Sequence, residues 1–327
     1  MPQDIDYDVP FPSLISPDAK AATAAHLDWV TRLGLLPTPE ARASYLAWDI
    51  GGGGARMYPG ARSSDLAIGV DMLGVCALCD DYFDELNDQQ REQAAHVVLA
   101  RLQGPDGSAA AGPPILEACA DVWRRATATM SPRWQARVAG HYREAIAASV
   151  EEADLYRRGT TPSFDALLQL QGHLLTTGGV FLDLVERIGR YELPDEIFHA
   201  PEVRVIYVNC QHITAICNSA VSLDKEEARG QYLNLIIALE SQRGLSRSQA
   251  VQETQLMVRK LSQEILRLRA ELPEWYQRLG APPHQKEPTR RYLDEICIFT
   301  RGYCDWYMTS GRYGTPARDP VASPGAH

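Results

Sequence analysis

From residue 63 to residue 310 the apolar residues of this 327-residue chain recur at helical spacing in one long segment after another, and strand-like alternation is not seen. The periodicity predicts helices over residues 63 to 85, 90 to 102, 115 to 129, 132 to 157, 164 to 189, 202 to 227, 230 to 242, 246 to 271 and 287 to 310. Clear breakers separate them: residues 51 to 54 (four glycines), 103 to 114, 159 to 162, and Ala281-Pro282-Pro283. Ser163 reads as an N-cap, with Asp165 in the first turn after it. No internal repeat or low-complexity linker divides the chain, so it is expected to form a single all-α domain over residues 1–327. The proline-bearing stretch from about residue 314 is expected to be a flexible tail.

Two short segments carry the chemistry. Asp80-Asp81-Tyr82-Phe83-Asp84-Glu85 closes an apolar run that contains Met72, Leu73, Val75 and Leu78, and that reads as a buried helix. Asp80 and Asp84 are one helical turn apart and Asp81 is close to both, so the carboxylates crowd together and repel. A cation would relieve that repulsion, and carboxylates combined with substrate phosphates are the ligand set that magnesium prefers. In the second segment Asn218, Ser222 and Glu226 fall at i, i+4 and i+8 on one helical stripe, where one cation could bridge them. Lys225 and Arg229 lie nearby and could meet phosphate oxygens. Either segment alone is commonly a solvated helix face. Their joint occurrence in an apolar helical chain that later carries Arg312-Tyr313 is far more specific.

With these residues in view the chain resembles the class I terpene cyclases of bacteria over nearly its whole length. The likeness includes Met1-Pro2-Gln3-Asp4, Trp123-Arg124-Arg125, the run from Glu186 to Pro194, Lys225-Glu226-Glu227-Ala228-Arg229-Gly230, and Ser310-Gly311-Arg312-Tyr313. The resemblance implies a class I helical bundle around a central apolar cavity and a metal-dependent lyase that acts on a linear prenyl diphosphate. It implies three Mg2+ ions, two of them faced by Asp80 and Asp84 with Asp81 beside them, and the third held by Asn218, Ser222 and Glu226. Lys225, Arg312 and Tyr313 would contact the diphosphate. Trp306 stands where the family carries a pocket tryptophan, and Phe181 and Tyr207 are further aromatic candidates.

The chemistry of such a reaction sets its own demands. An allylic carbon–oxygen bond breaks heterolytically when the departing diphosphate is stabilised as an anion, which a divalent cation and cationic side chains provide. The carbocation left behind requires a dry, apolar and aromatic pocket.

Composition narrows the partners. With 42 acidic against 32 basic residues the formal charge is −10, which argues against nucleic acid or an anionic membrane as partner. The acidic, proline-bearing N-terminus does not read as a signal peptide and no apolar run is long enough to span a bilayer, so a cytoplasmic protein is expected. Seven scattered cysteines do not make a disulfide framework, and Cys76 and Cys79 read as small apolar core residues. A homodimer is possible, since dimers are common among the proteins it resembles.

Two departures from the family pattern matter. Bulky aromatics are expected just before Asp80, where this chain has Val75, Cys76, Ala77 and Cys79. Smaller side chains there would enlarge the cavity and favour geranylgeranyl diphosphate over farnesyl diphosphate. The second departure is that residues 168 to 179 read LQLQGHLLTTGG, without the arginine that in the family senses the diphosphate about one turn before a glycine helix break. His173 is the candidate replacement, and Gly178 or Gly179 the candidate break. A chain-elongating prenyltransferase ranks below a cyclase because such enzymes carry a second aspartate-rich motif where this chain has Asn218 to Glu226. A non-catalytic protein that binds prenyl diphosphate is the third reading.

Overall fold

The computed structural model describes residues 7–102, 112–278 and 282–313, so the tail expected from about residue 314 lies outside the described residues. Among those residues there are helices and turns but no strand, in agreement with the all-α reading.

Three helices precede the first predicted one: α1 (Ala19–Arg32), α2 (Pro39–Leu46) and α3 (Ile50–Met57). The last of these corrects the sequence reading, because the Gly51 to Gly54 run lies inside a helix rather than breaking the chain. Its glycines are there for close approach. A Cβ on Gly51 would sit 1.8 Å from Thr23 Oγ1, and one on Gly54 would sit 2.6 Å from Val70 Cγ2 and 2.9 Å from its Cα. Asp49 holds the start of α3 by accepting the Gly52 amide at 3.2 Å. Helix α3 can therefore nest against α1, α4 and α15 at backbone distance, which outweighs the poor helix propensity of glycine.

The predicted segments then appear in order as α4 (Ser63–Asp84), α5 (Asp88–Leu102), α6 (Pro114–Thr127) and α7 (Pro132–Arg158). Helix α7 ends on Gly159 at φ 63°, a left-handed C-cap that the Gly159-Thr160-Thr161-Pro162 signal foreshadows. The 164 to 189 segment is two helices, α8 (Phe164–Leu175) and α9 (Val180–Gly189), parted by a 3-10 turn, Thr177–Gly179. Ser163 caps α8 by accepting the Ala166 amide, as expected.

A short α10 (Asp195–Phe198) leads into α11 (Pro201–Ala228), followed by α12 (Leu235–Arg243), α13 (Arg247–Ala270), α14 (Leu272–Arg278) and α15 (Pro283–Thr309). Pro282 and Pro283 start α15 four residues earlier than predicted, since proline at the first helical position loses no hydrogen bond.

Helix α11 is the central column. Every residue from 213 to 223 is buried, and α8, α13 and α15 pack around it. One connected apolar core runs from Tyr7 to Tyr307. No described helix is long and apolar enough to cross a membrane.

Candidate active site

Helices α4 and α11 deliver the two acidic banks to the mouth of one cavity of about 890 Å³. Asp80, Asp81, Asn218, Ser222, Lys225, Glu226, Arg312 and Tyr313 all line it. The apolar body of α4 is buried, and the helix reaches the surface again at Asp80, which stands at the rim. Asp80 has a side chain 70% exposed, whereas Asp81 is 6% exposed. The side chain of Asp84 lies outside the described residues.

Arg312 joins the two sides. It sits in the turn Gly311–Tyr313 after α15, and that turn is tied down by the Gly311 amide donating to Ala47 O at 2.8 Å and by Ser310 Oγ donating to Trp48 O at 2.8 Å. The Arg312 guanidinium donates to both oxygens of Asp81, at 3.0 and 2.8 Å, and to Asp80 Oδ2 at 2.9 Å. The resemblance groups Asp81 with Asp80 and Asp84 as the carboxylates of the metal site. Instead both of its oxygens face Arg312, a bidentate arrangement suited to a buried carboxylate. Asp80 keeps one oxygen outside that pairing and faces the cavity.

Across the mouth the second bank is pre-arranged. Ser222 Oγ donates to the Asn218 backbone carbonyl at 2.9 Å, which leaves its lone pairs to accept. Asn218 Nδ2 donates to the Tyr313 hydroxyl at 3.3 Å and so directs Oδ1 the other way. Glu226 Oε2 accepts from Asn234 Nδ2 at 2.8 Å. Burial raises the Glu226 carboxyl above its ordinary range. The hydrogen bond from Asn234 opposes that rise, and the charge of Asp80 adds to it, so the two banks feel each other. Burial likewise lowers the Lys225 ammonium, and the Arg312 charge lowers it further. The mouth thus combines excess acid on both walls with cations on its inner edge.

Below the mouth the wall is apolar and aromatic, with Tyr142, Phe181, Tyr303 and Trp306 among its members. Trp306 is 1% exposed, and its indole N–H donates to Trp48 O at 2.7 Å, so its polar edge is satisfied away from the cavity. Phe181 meets Tyr303 edge-on at 5.8 Å. Val75, Cys76, Ala77 and Cys79 line the cavity, and Cys119 of α6 closes on Cys79 at 3.4 Å between sulfurs. Burial pushes the Cys76 thiol up to about 12, so it stays protonated.

Other expectations need correction. His173 is not among the cavity-lining residues: its Nδ1 lies 3.9 Å from Glu144, while Leu174 and Leu175 line the cavity. On α8 His173 turns toward Glu144 of α7 instead, and partial burial lowers its imidazole below the usual value. Tyr207 is also absent from the lining, and its hydroxyl donates to Gly179 O at 2.9 Å behind the wall. Gly178 and Gly179 do form the helix break, at φ 67° and 113°. It is their neighbour Thr177 that reaches the cavity.

Sequence reasoning did not single out Asn234. It is buried, caps α12 through the Ile236 amide, and holds Glu226 from eight residues away. Its N-cap position was the available signal.

No cluster of three His, Cys, Asp or Glu side chains able to hold a metal by itself occurs among the described residues. The donor set is instead carboxylate, amide and hydroxyl oxygen, left incomplete at an open mouth. Such a set fits a hard divalent cation that fills its remaining positions with water or substrate oxygens.

The family model described as "Terpene synthase family 2, C-terminal metal binding" matches residues 71–264. The chain is 36% identical to a pentalenene synthase of Streptomyces avermitilis over 323 residues, spanning 96% of this chain and 94% of that one. It is 30% identical to a (-)-beta-caryophyllene synthase of Saccharothrix espanaensis over 99% of this chain and 93% of that one, a protein described as (2E,6E)-farnesyl diphosphate cyclizing. The fold matches the crystal structure of a linalool/nerolidol synthase from Streptomyces clavuligerus with a TM-score of 0.84 at 31% identity, covering 92% of this chain and all of that one. An all-α fold, an apolar cavity under an oxygen-rich mouth and these likenesses lead to one conclusion: the chain belongs to the terpene synthase family and is a bacterial class I terpene cyclase, a lyase.

Proposed function

We propose that this cyclase binds Mg2+ and geranylgeranyl diphosphate, ionises the allylic diphosphate, and folds the resulting cation into a polycyclic terpene. The observation that carries this reading is that Asp80 and the Asn218, Ser222 and Glu226 stripe border a single apolar cavity together with Arg312, Tyr313 and Lys225. Asp80, with Asp84 beside it in sequence, would hold magnesium on one wall, and Asn218, Ser222 and Glu226 on the other, three ions in all. When bound, magnesium supplies positive charge that stabilises the departing diphosphate.

The chain's own residues do the rest. Arg312, Lys225 and the Tyr313 hydroxyl bind and orient the diphosphate oxygens at the mouth. Phe181, Tyr303 and Trp306 present ring faces to migrating positive charge, and the buried wall excludes water from it. The thiols beside them stay neutral. A cytoplasmic location accords with this role.

Chain length is read from the wall. The cavity of about 890 Å³ lies toward the upper end of the ordinary range for small-molecule sites, and Cys76, Ala77 and Cys79 leave room beneath Asp80. Farnesyl diphosphate is the second reading, supported by the relative described as cyclising it. Incubating purified protein with geranyl, farnesyl and geranylgeranyl diphosphate and Mg2+, with products identified by gas chromatography and mass spectrometry, separates the two. A cyclic C20 product as the major output supports the proposal. Efficient turnover of farnesyl diphosphate alone eliminates the longer substrate, and no new product from any of the three eliminates the enzyme reading.

A further inference from the structure

The break between α8 and α9 is a run of three consecutive residues in the left-handed region. Thr177, Gly178 and Gly179 follow one another at φ 51°, 67° and 113°. Glycine adopts such angles freely, but a β-branched threonine does not. A strained conformation of this kind persists only where its surroundings hold it. On the cavity side Thr177 Oγ1 meets Cys76 Sγ at 3.3 Å, so the strained residue is itself part of the wall.

What holds it lies behind. A Cβ on Gly178 would come within 1.8 Å of the His141 carbonyl, and one on Gly179 within 1.8 Å of the Tyr207 hydroxyl. That hydroxyl donates to Gly179 O at 2.9 Å and lies 3.3 Å from His141 Nδ1, which in turn is 2.5 Å from Asp183 Oδ2. Three helices, α7, α9 and α11, thus converge on the turn through one buried chain of polar groups, and both His141 and Asp183 are buried. The pocket chemistry uses none of these three residues.

We infer that Tyr207, His141 and Asp183 are positioning residues that clamp the 177–179 turn from outside the cavity and thereby set where Thr177 stands in the wall that shapes the folding substrate chain. The inference rests on the cyclase reading for its effect on products, but the clamp itself is testable without turnover. Nearby Tyr292 supplies an internal control, because its hydroxyl is buried without a hydrogen-bond partner among the described residues and should be dispensable.

The experiment compares wild type with Tyr207→Phe, Asp183→Asn and Tyr292→Phe. Amide exchange followed by mass spectrometry over residues 172 to 182 is the activity-independent arm. Tyr207→Phe should speed exchange of the Gly179, Val180 and Phe181 amides about tenfold, since the first and third donate to Thr176 O and the second to Thr177 O. Tyr292→Phe should leave them as in wild type. In the second arm, kcat per folded enzyme should fall severalfold in Tyr207→Phe and Asp183→Asn. The share of acyclic or singly cyclised product should rise, while KM and inhibition by inorganic diphosphate stay within twofold of wild type. Should Asp183→Asn fail to fold, Tyr207→Phe alone carries the test. Wild-type exchange rates in Tyr207→Phe, or an equal change in Tyr292→Phe, would overturn the clamp. Faster exchange with an unchanged product pattern would overturn its role in shaping product. Wild type that makes no terpene would count against the enzyme reading and leave the exchange result to decide the clamp.

Discussion

Replacing Arg312 by Met removes a guanidinium that is 4% exposed and leaves Asp81, itself 6% exposed, with no hydrogen-bond partner for either side-chain oxygen among the described residues. Breaking a buried ion pair from one side costs about 3 to 5 kcal/mol, because the remaining charge is neither solvated nor paired. The contact to Asp80 adds little, since that carboxylate is largely in solvent. Loss of the guanidinium stacked 4.3 Å from the Trp48 ring adds a smaller cost. The 311–313 turn stays anchored through Gly311 and Ser310, so it cannot simply swing away to let water in. Unfolding entropy is about 2.1 cal/mol/K per residue, so ~4 kcal/mol over a chain of this size lowers Tm by roughly 6 °C.

The double variant Arg312→Met with Asp81→Asn removes the stranded charge and should recover most of that loss. Turnover should not recover in either variant, because Arg312 is proposed to bind the diphosphate; a drop of roughly 100-fold is expected. Calorimetric melts of wild type, single and double variants alongside diphosphate-release kinetics make the test. A single variant melting within 1 °C of wild type, or a double variant as unstable as the single one, would refute the buried-pair argument.

Three further outcomes are expected. Asn234→Ala frees Glu226, removes the second donor to Ser219 O and uncaps α12, so stability should fall by about 1 to 2 kcal/mol in denaturant titrations and half-saturating Mg2+ should rise about tenfold. Gly54→Ala drives a methyl against the Val70 backbone and should cost about 1 to 3 kcal/mol by separating α3 from α4, whereas Gly60→Ala, which meets open space, should melt like wild type. The third concerns pH. Burial, aided by His173, holds the His212 imidazole down to about 4, so between pH 6.5 and 4 the unfolded chain binds the proton that the folded one refuses. Stability tied to His212 is therefore complete above pH 6.5 and is lost as pH falls toward 4. His212→Gln should lose about 2 to 3 kcal/mol less than wild type over that interval, and equal slopes in acid denaturation would contradict the assignment.

Much of this architecture was legible because its long helices announce themselves locally. The buried run that ends at Asp80 and the Asn218, Ser222 and Glu226 stripe needed only helical spacing to be placed on single faces. What was not legible depends on distant partners. The four glycines of α3 look like a breaker until Thr23 and Val70 are seen pressed against them. His173 and Leu174 are adjacent in sequence, and only the rotation of α8 against its neighbours decides which of them lines the cavity. Asp81 and Arg312 are separated by 231 positions, so their pairing has no local signature. The same holds for the chain from Gly179 through Tyr207 and His141 to Asp183, which three helices assemble.

The most direct test of the central claim, that two oxygen-bearing walls act together through divalent cations on one diphosphate, is the rate of diphosphate release from a prenyl diphosphate by chelator-treated enzyme as Mg2+ is added back. Release should be absent without metal and rise sigmoidally with Mg2+. Asp80→Asn and Glu226→Gln, one from each wall, should each shift the curve to higher concentration and lower its plateau. Release that persists in excess chelator, or that responds to only one of the two walls, would contradict it.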